Sequence, residues 1–140
     1  MKRGFTLTLT LIVMSVALAV GLSVYNILSK EIQLSDLGRE SEIAFYAADS
    51  GGECALYWDI HSGPLSTTTP STIKCAGQTL TAGGSTISTF KVGFTNGACA
   101  KVVINKSNPP KTIVDSYGYN VDCDTATSSQ KVERGVELNY

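Results

Sequence analysis

Residues 5–29 form a run of twenty-five positions without one charged side chain. At about 1.5 Å rise per residue such a run makes about 37 Å of helix, enough to cross a hydrocarbon core of about 30 Å with some tilt. Lys2 and Arg3 precede the run and Lys30 follows it. Basic flanks favour the cytoplasmic side, so the run predicts a single-pass helix with a cytoplasmic N-terminus and the remaining chain facing outward. Within it, Thr6, Thr8 and Thr10 alternate with Leu7, Leu9 and Leu11, which is the period of a strand. A lone strand in lipid would leave its N–H and C=O groups unpaired, whereas a helix satisfies them internally. The helix therefore prevails, with threonine hydroxyls bonding back to the preceding turn. A secretory signal peptide is the competing reading, because Ala17-Leu18-Ala19 has the A-x-A form of a cleavage site. Against it, Val20, Leu22, Val24, Ile27 and Leu28 carry the apolar character well past that point.

The helical pattern does not stop at Lys30. Ile27, Leu34, Leu37, Ala44, Phe45 and Ala48 recur along one stripe, while Lys30, Glu31, Asp36, Arg39, Glu40 and Glu42 occupy much of the rest. No proline occurs before Pro64. One helix is thus predicted from Phe5 to about Asp49, apolar all round in its first half and amphipathic in its second. Gly51-Gly52 offers a C-terminal cap. Alternatively, Ala55, Leu56 and Trp58 extend the helix at a cost of about 1 kcal/mol per glycine; both endings stay open.

The remainder reads as short strands and turns. Phe90, Val92 and Phe94 alternate with Lys91 and Gly93. Tyr117, Tyr119, Val121 and Cys123 share one face, with Ser116, Gly118, Asn120 and Asp122 on the other. Val132, Val136, Leu138 and Tyr140 also alternate, with Arg134 the exception on their face. Residues 98–104 are more continuously apolar and predict a central strand. Asn96-Gly97 before them is a hairpin dipeptide, and Asn108-Pro109-Pro110 after them breaks the chain. Residues 67–72 and Gly83-Gly84-Ser85 read as polar loops. The expected class is α+β: an antiparallel sheet of about four strands on the second half of the helix, each burying its apolar face against the other.

Such a head is small and buries a modest core. Its four cysteines, Cys54, Cys75, Cys99 and Cys123, lack any C-x-x-C spacing, and His61 is the only histidine. Zinc sites need close ligand pairs, so disulfides are the expectation for an exported domain. Three pairings are open. Cys54 with Cys75 and Cys99 with Cys123 are favoured, because both close short loops and the second joins neighbouring strands. On the loop-entropy model each would contribute about 3 kcal/mol.

Several chemistries find little support. A net charge of −1 argues against nucleic-acid binding, which normally shows a basic excess. Only 16% of residues are charged, against fifteen Ser and fifteen Thr, so the surface is hydroxyl-rich rather than ionic. An enzyme would have to use His61 beside Ser62, and sequence neighbours rarely make a dyad. Asp122 and Asp124 offer oxygens to calcium, but two carboxylates at a strand end are ordinarily solvated. Asn105-Lys106-Ser107 fits the N-glycosylation pattern, which chance often supplies. Tyr117, Tyr119 and Tyr140 read as one half-buried sheet face, and Trp58 as a core residue at the helix–sheet junction. No cofactor is implied.

Lys2-Arg3-Gly4-Phe5-Thr6-Leu7, joined to the apolar helix, resembles the cleavage site of type IV prepilins and pseudopilins. Residues 42–58, with Ala44-Phe45-Tyr46-Ala47-Ala48-Asp49-Ser50-Gly51, are similar to the stretch after the helix in PilX-type minor pilins. The resemblance implies the type IV pilin fold and a division into a class III prepilin leader (1–4), a filament-core helix (5–29), its amphipathic continuation (30–58) and a disulfide-bearing head (59–140). It implies cleavage between Gly4 and Phe5 by a prepilin peptidase, which also methylates the Phe5 amino group. Loss of Lys2 and Arg3 takes the net charge from −1 to −3. The implied partners are membrane lipid, the inner-membrane assembly machinery and then other pilin subunits in an extracellular filament. Members usually carry glutamate five positions into the mature chain, where this chain has Leu9. That departure implies a minor or initiating subunit of a type IV pilus. A pseudopilin of a secretion or DNA-uptake system, and a tethered or secreted binding domain that never polymerises, are the alternatives.

Overall fold

The structure is a computed structural model and describes residues 3–61, 65–124 and 131–140. A single α-helix, α1, runs without interruption from Arg3 to Ile60. Six strands follow: β1 (Pro70–Cys75), β2 (Gln78–Gly83), β3 (Ile87–Gly93), β4 (Cys99–Asn108), β5 (Lys111–Tyr119) and β6 (Glu133–Asn139). The chain divides into two compact units, Met1–Gly38 and Arg39–Tyr140. The first unit, as described, is the N-terminal stretch of α1 alone. The second holds the rest of α1 and all six strands, an α+β arrangement.

Within the head, β3-β4-β5-β6 form an antiparallel sheet in sequence order, with β1 and β2 as a separate antiparallel pair. β4 is flanked on both sides, which matches its continuously apolar sequence. The Asn96-Gly97 turn closes β3 onto β4, with Gly97 at a φ of 85° that a side chain would resist. Pro109 and Pro110, joined by a cis peptide bond, fill the turn between β4 and β5.

Even-numbered positions of the larger sheet face the helix. In register across it lie Val92, Ala100, Gly118 and Arg134; then Phe90, Val102, Ser116 and Val136; then Ser88, Ile104, Val114 and Leu138. Against them α1 buries Ala44, Ala47, Ala48, Gly51, Gly52, Ala55 and Asp59. This differs from the predicted stripe. Ala44 and Ala48 are buried, but Leu34, Leu37 and Phe45 are exposed. The physical reason is distance. A Cβ on Gly118 would stand 2.0 Å from the Ala44 carbonyl oxygen and 2.3 Å from the Ala48 nitrogen. A Cβ on Gly51 would stand 2.7 Å from the Ala100 Cβ. Backbones this close leave room only for glycine, alanine and serine.

The same contact decides two further points. Gly51-Gly52 does not end the helix. Both glycines are contact points with the sheet, and packing around them offsets their propensity cost of about 1 kcal/mol each. The tyrosines of β5 also lie opposite to the expected side. Tyr117 and Tyr119 occupy the outer face, whereas Ser116 and Gly118 are buried. Tyr140 pairs its backbone with Thr112 and so belongs to the helix side rather than with Tyr117. β5 ends at Tyr119, before Val121 and Cys123.

Two strands reach into the stretches expected as polar loops. β1 begins at Pro70 within the threonine-rich stretch, and β2 runs into Gly83. Their hairpin turn uses Ala76 and Gly77, both at positive φ (48° and 76°), which is the backbone that type I′ hairpins require. Ile73, Cys75 and Ala82 bury their side chains in the same core as Ala55, Phe90, Val92, Val102, Ile104 and Val114. Disulfides join Cys54 to Cys75 and Cys99 to Cys123, with Cα atoms 6.0 and 5.4 Å apart. The first ties α1 to the end of β1, and the second ties β4 to the turn beyond β5.

The glycine contacts yield a graded prediction. Gly118→Ala should destabilise the head by about 3 kcal/mol or more, and Gly51→Ala by about 1–3 kcal/mol despite its better helix propensity. Gly38→Ala, with nothing within 4 Å of the added carbon, should leave the head's unfolding midpoint unchanged or raised. Denaturant unfolding followed by Trp58 fluorescence checks the order.

Candidate functional site: an uncovered apolar helix and a pinned helix end

The first unit presents a segment long and apolar enough to cross a membrane, with none of it buried within the protein. Phe5 is 74% exposed, Leu11 62%, Met14 68% and Leu22 58%. Thr8 donates its hydroxyl proton to the Phe5 carbonyl at 2.9 Å, and Thr10 does the same to Leu7. Ser15 bonds the Ile12 carbonyl and Ser23 the Ala19 carbonyl, at 2.8 and 2.9 Å. These hydroxyls are thus satisfied within the helix, and the surface they leave is apolar in character. The Thr/Leu alternation is thereby accommodated within the helix.

Of the leader residues, Gly4 and Phe5 lie in the first turns of α1, while Met1 and Lys2 fall outside the described residues. Leu9 is half-exposed on the same segment. A Cβ on Gly21 would meet nothing within 4 Å.

The far end of α1 is held by a cluster that the sequence did not announce. Asp59 is 7% exposed. Its Oδ1 accepts from the Leu65 amide at 2.7 Å and forms an ion pair with the Lys106 ammonium. Its Oδ2 accepts from the Tyr140 hydroxyl at 2.9 Å. Lys106 also donates to the Leu65 carbonyl at 3.1 Å. One carboxylate therefore connects the helix end, the segment after it, β4 and the residue after β6. Burial, followed by the Asp59 hydrogen bond and charge, pushes the Tyr140 hydroxyl well above its ordinary pKa. A signal did exist. Asp59 continues the small-residue stripe at Ala48, Gly51 and Ala55, and Lys106 continues the inward parity of Val102 and Ile104. Two opposite charges at inward positions predict each other.

Other candidates are occupied or dispersed. Asp124 pairs with Lys91 on the surface, and its amide donates to Asp122 Oδ1 at 2.9 Å. Among the described residues no group of three His, Cys, Asp or Glu is placed to hold a metal ion. His61 stacks on Tyr57, and Ser62 falls outside the described residues. The Asn105 side chain accepts from the Ser107 amide at 3.0 Å. Trp58 is partly buried against the core, its indole N–H donating to the Lys74 carbonyl at 3.0 Å. Arg134, the exception on its face, reaches α1 and donates to the Ser41 hydroxyl at 2.7 Å.

No protein-family model matches the chain, and neither does any curated protein or solved structure.

Two predictions follow from the pinned end. Lys106→Met strands a buried carboxylate and should cost about 3–5 kcal/mol, whereas Lys91→Met removes an exposed pair and should cost less than about 1 kcal/mol. Because the folded Tyr140 holds its proton more tightly than the unfolded chain, its contribution is complete below about pH 10 and is lost as pH rises beyond that. Tyr140→Phe should therefore reduce the alkaline fall in stability, read as unfolding midpoints across pH 8–11.5.

Proposed function

We propose that this chain is a structural subunit, minor or initiating, of a type IV pilus or a related filament. One observation carries the reading: an apolar helical segment with no cover of its own continues, without a break in the helix, into a disulfide-tied α+β head. Uncovered apolar surface of this extent needs lipid or other helices around it. The resemblance of Lys2-Arg3-Gly4-Phe5-Thr6-Leu7 to a prepilin leader supplies the route between the two.

The proposed sequence of events is as follows. The precursor parks its helix in the inner membrane, with Lys2 and Arg3 at the cytoplasmic interface and the head outside. A prepilin peptidase cuts between Gly4 and Phe5, where the lack of a side chain on Gly4 suits a narrow cleft, and the Phe5 amino group is methylated. Removal of two cations frees the helix end from that interface. The assembly machinery then draws the helix out of lipid and into a bundle of like helices. Each apolar side chain buried there contributes at about 25 cal/mol per Å², which offsets the cost of extraction. Small residues at Ala17, Ala19, Gly21 and Ser23 allow the helices to approach closely. Leu9 has no charge with which to neutralise a neighbour's N-terminal ammonium. A subunit with none ahead of it needs no such group, which favours the minor or initiating role over the bulk one.

N-terminal mass spectrometry of the native protein tests the reading. The expected mature chain begins at Phe5 and carries one added methyl group. A chain beginning at Val20 would instead indicate a secreted domain, and an intact Met1 a tethered one. Ala17→Arg or Gly21→Arg should abolish incorporation into sheared filaments while the head keeps its near-UV circular dichroism.

A further inference from the structure

Beside the head portion of α1 lies an open groove of about 550 Å³, within the range of small-ligand sites. One wall is the helix face carrying Glu53, Tyr57 and, just past the helix end, His61, spaced four residues apart. The other is the end of β1, with Lys74 and Cys75. Tyr57 and His61 are stacked with centroids 5.3 Å apart and planes 10° from parallel. Trp58 stands perpendicular to Tyr57, at 88° and 5.9 Å. The two rings of Tyr57 and Trp58 thus make an aromatic corner, with Tyr57 more than half exposed.

The walls are tied to each other beneath this corner. Cys54 on α1 is bonded to Cys75, and the Trp58 indole N–H donates to the Lys74 carbonyl. The two walls are therefore joined at two points, and Trp58 is already fixed by its hydrogen bond, which lowers the entropic cost of binding.

We propose that this groove binds a neutral pyranose sugar. Three features select that class. A pyranose presents a face of C–H groups carrying slight positive charge, which stacks on the negative face of an aromatic ring. Its hydroxyls both donate and accept, so they suit a groove lined by an acidic residue, Glu53, on one wall and a basic one, Lys74, on the other. Those opposite charges also argue against an ionic ligand, which would be attracted by one wall and repelled by the other. A purely apolar ligand would leave both charged groups unused. The assignment does not rest on the filament reading, because it concerns the head alone.

Trp58 is the chain's only tryptophan, so its emission reports on this groove directly. Full-length protein in lipid nanodiscs, free of sugar-headed detergent, is titrated with cellotriose, mannotriose and chitotriose. At least one should shift Trp58 emission saturably, with a Kd of about 1 mM or tighter. Tyr57→Ala should weaken that binding about tenfold or more, and Glu53→Ala severalfold, with far-UV circular dichroism and the unfolding midpoint unchanged in each. Tyr46→Ala, an exposed aromatic on the same helix outside the groove, should bind as the parent does. Three outcomes overturn the proposal: no saturable response to any of the sugars up to about 10 mM, a response that survives in Tyr57→Ala, or saturation by tetramethylammonium chloride in place of every sugar.

Discussion

The head is organised by how closely one helix approaches one sheet. Where Gly118 passes beneath Ala44 and Ala48, the separation admits no Cβ at all. Gly51 over Ala100 and Ser116 repeats the restriction about one helical turn further along. A helix seated this low cannot bury large side chains beneath itself. Phe45, Tyr46 and Tyr57 are therefore turned outward. The larger apolar side chains of the core come instead from the sheet and the β1–β2 hairpin: Phe90, Val92, Val102, Ile104, Val114 and Ile73. Alanine and glycine bury little area each, so the helix contributes less hydrophobic stabilisation than its length would indicate. Two disulfides, worth about 3 kcal/mol each on the loop-entropy model, are a physically fitting supplement for such a core.

Polar groups inside this contact carry information about register. Ser116 is fully buried beside Gly51, and its hydroxyl has no hydrogen-bond partner among the described residues. A hydroxyl in that state costs stability, yet the space there holds little more than a serine. The Asp59–Lys106 pair is the opposite case, with every acceptor atom engaged. A buried ion pair is weak evidence for net stability, but it penalises any displacement that separates its members. Sliding α1 by one turn along the sheet would both strand Asp59 and drive Ala44 or Ala48 into side chains. The charge pair at one end and the glycine contacts along the middle therefore specify the same seating of the helix.

This accounts for what could be read from the residues and what could not. The apolar run after Phe5, the alternation in Phe90-Lys91-Val92, the central position of β4 and the Asn96-Gly97 turn each express a local rule, and each appears as read. The inward face of β5 does not follow the usual rule that the larger apolar residues point inward. Ser116 and Gly118 are buried because of what lies above them, which no local pattern contains. Likewise, β1 and β2 were hidden because their turn places an alanine, Ala76, at positive φ. The Asn-Gly or Asp-Gly signal that normally marks such a hairpin is absent. The stripe on α1 departs from expectation in the same way as β5: its alanines, Ala44 and Ala48, are buried as read, while Ile27, Leu34, Leu37 and Phe45 are exposed and Gly51 and Gly52 take part in the contact instead. The inward placement of Asp59 and Lys106 was accessible in principle, since Asp59 extends the stripe of buried Ala48, Gly51 and Ala55 and Lys106 extends the parity of buried Val102 and Ile104.

Residue size along α1 separates two kinds of contact on one element. Between residues 5 and 29 the helix is lined with leucine, valine and isoleucine on every side, and none of them is buried among the described residues. From Ala44 onward, the covered face is alanine and glycine, and its partners are internal. The head's packing is complete within Arg39–Tyr140, with its own core, disulfides and buried ion pair. Whatever surrounds the apolar segment can therefore change from one apolar medium to another without disturbing what holds the head. The proposed filament role, in which lipid is exchanged for neighbouring helices, requires that independence, because the head must survive the transfer folded. A segment whose cover was part of the head's own core would have to unfold that core each time it moved.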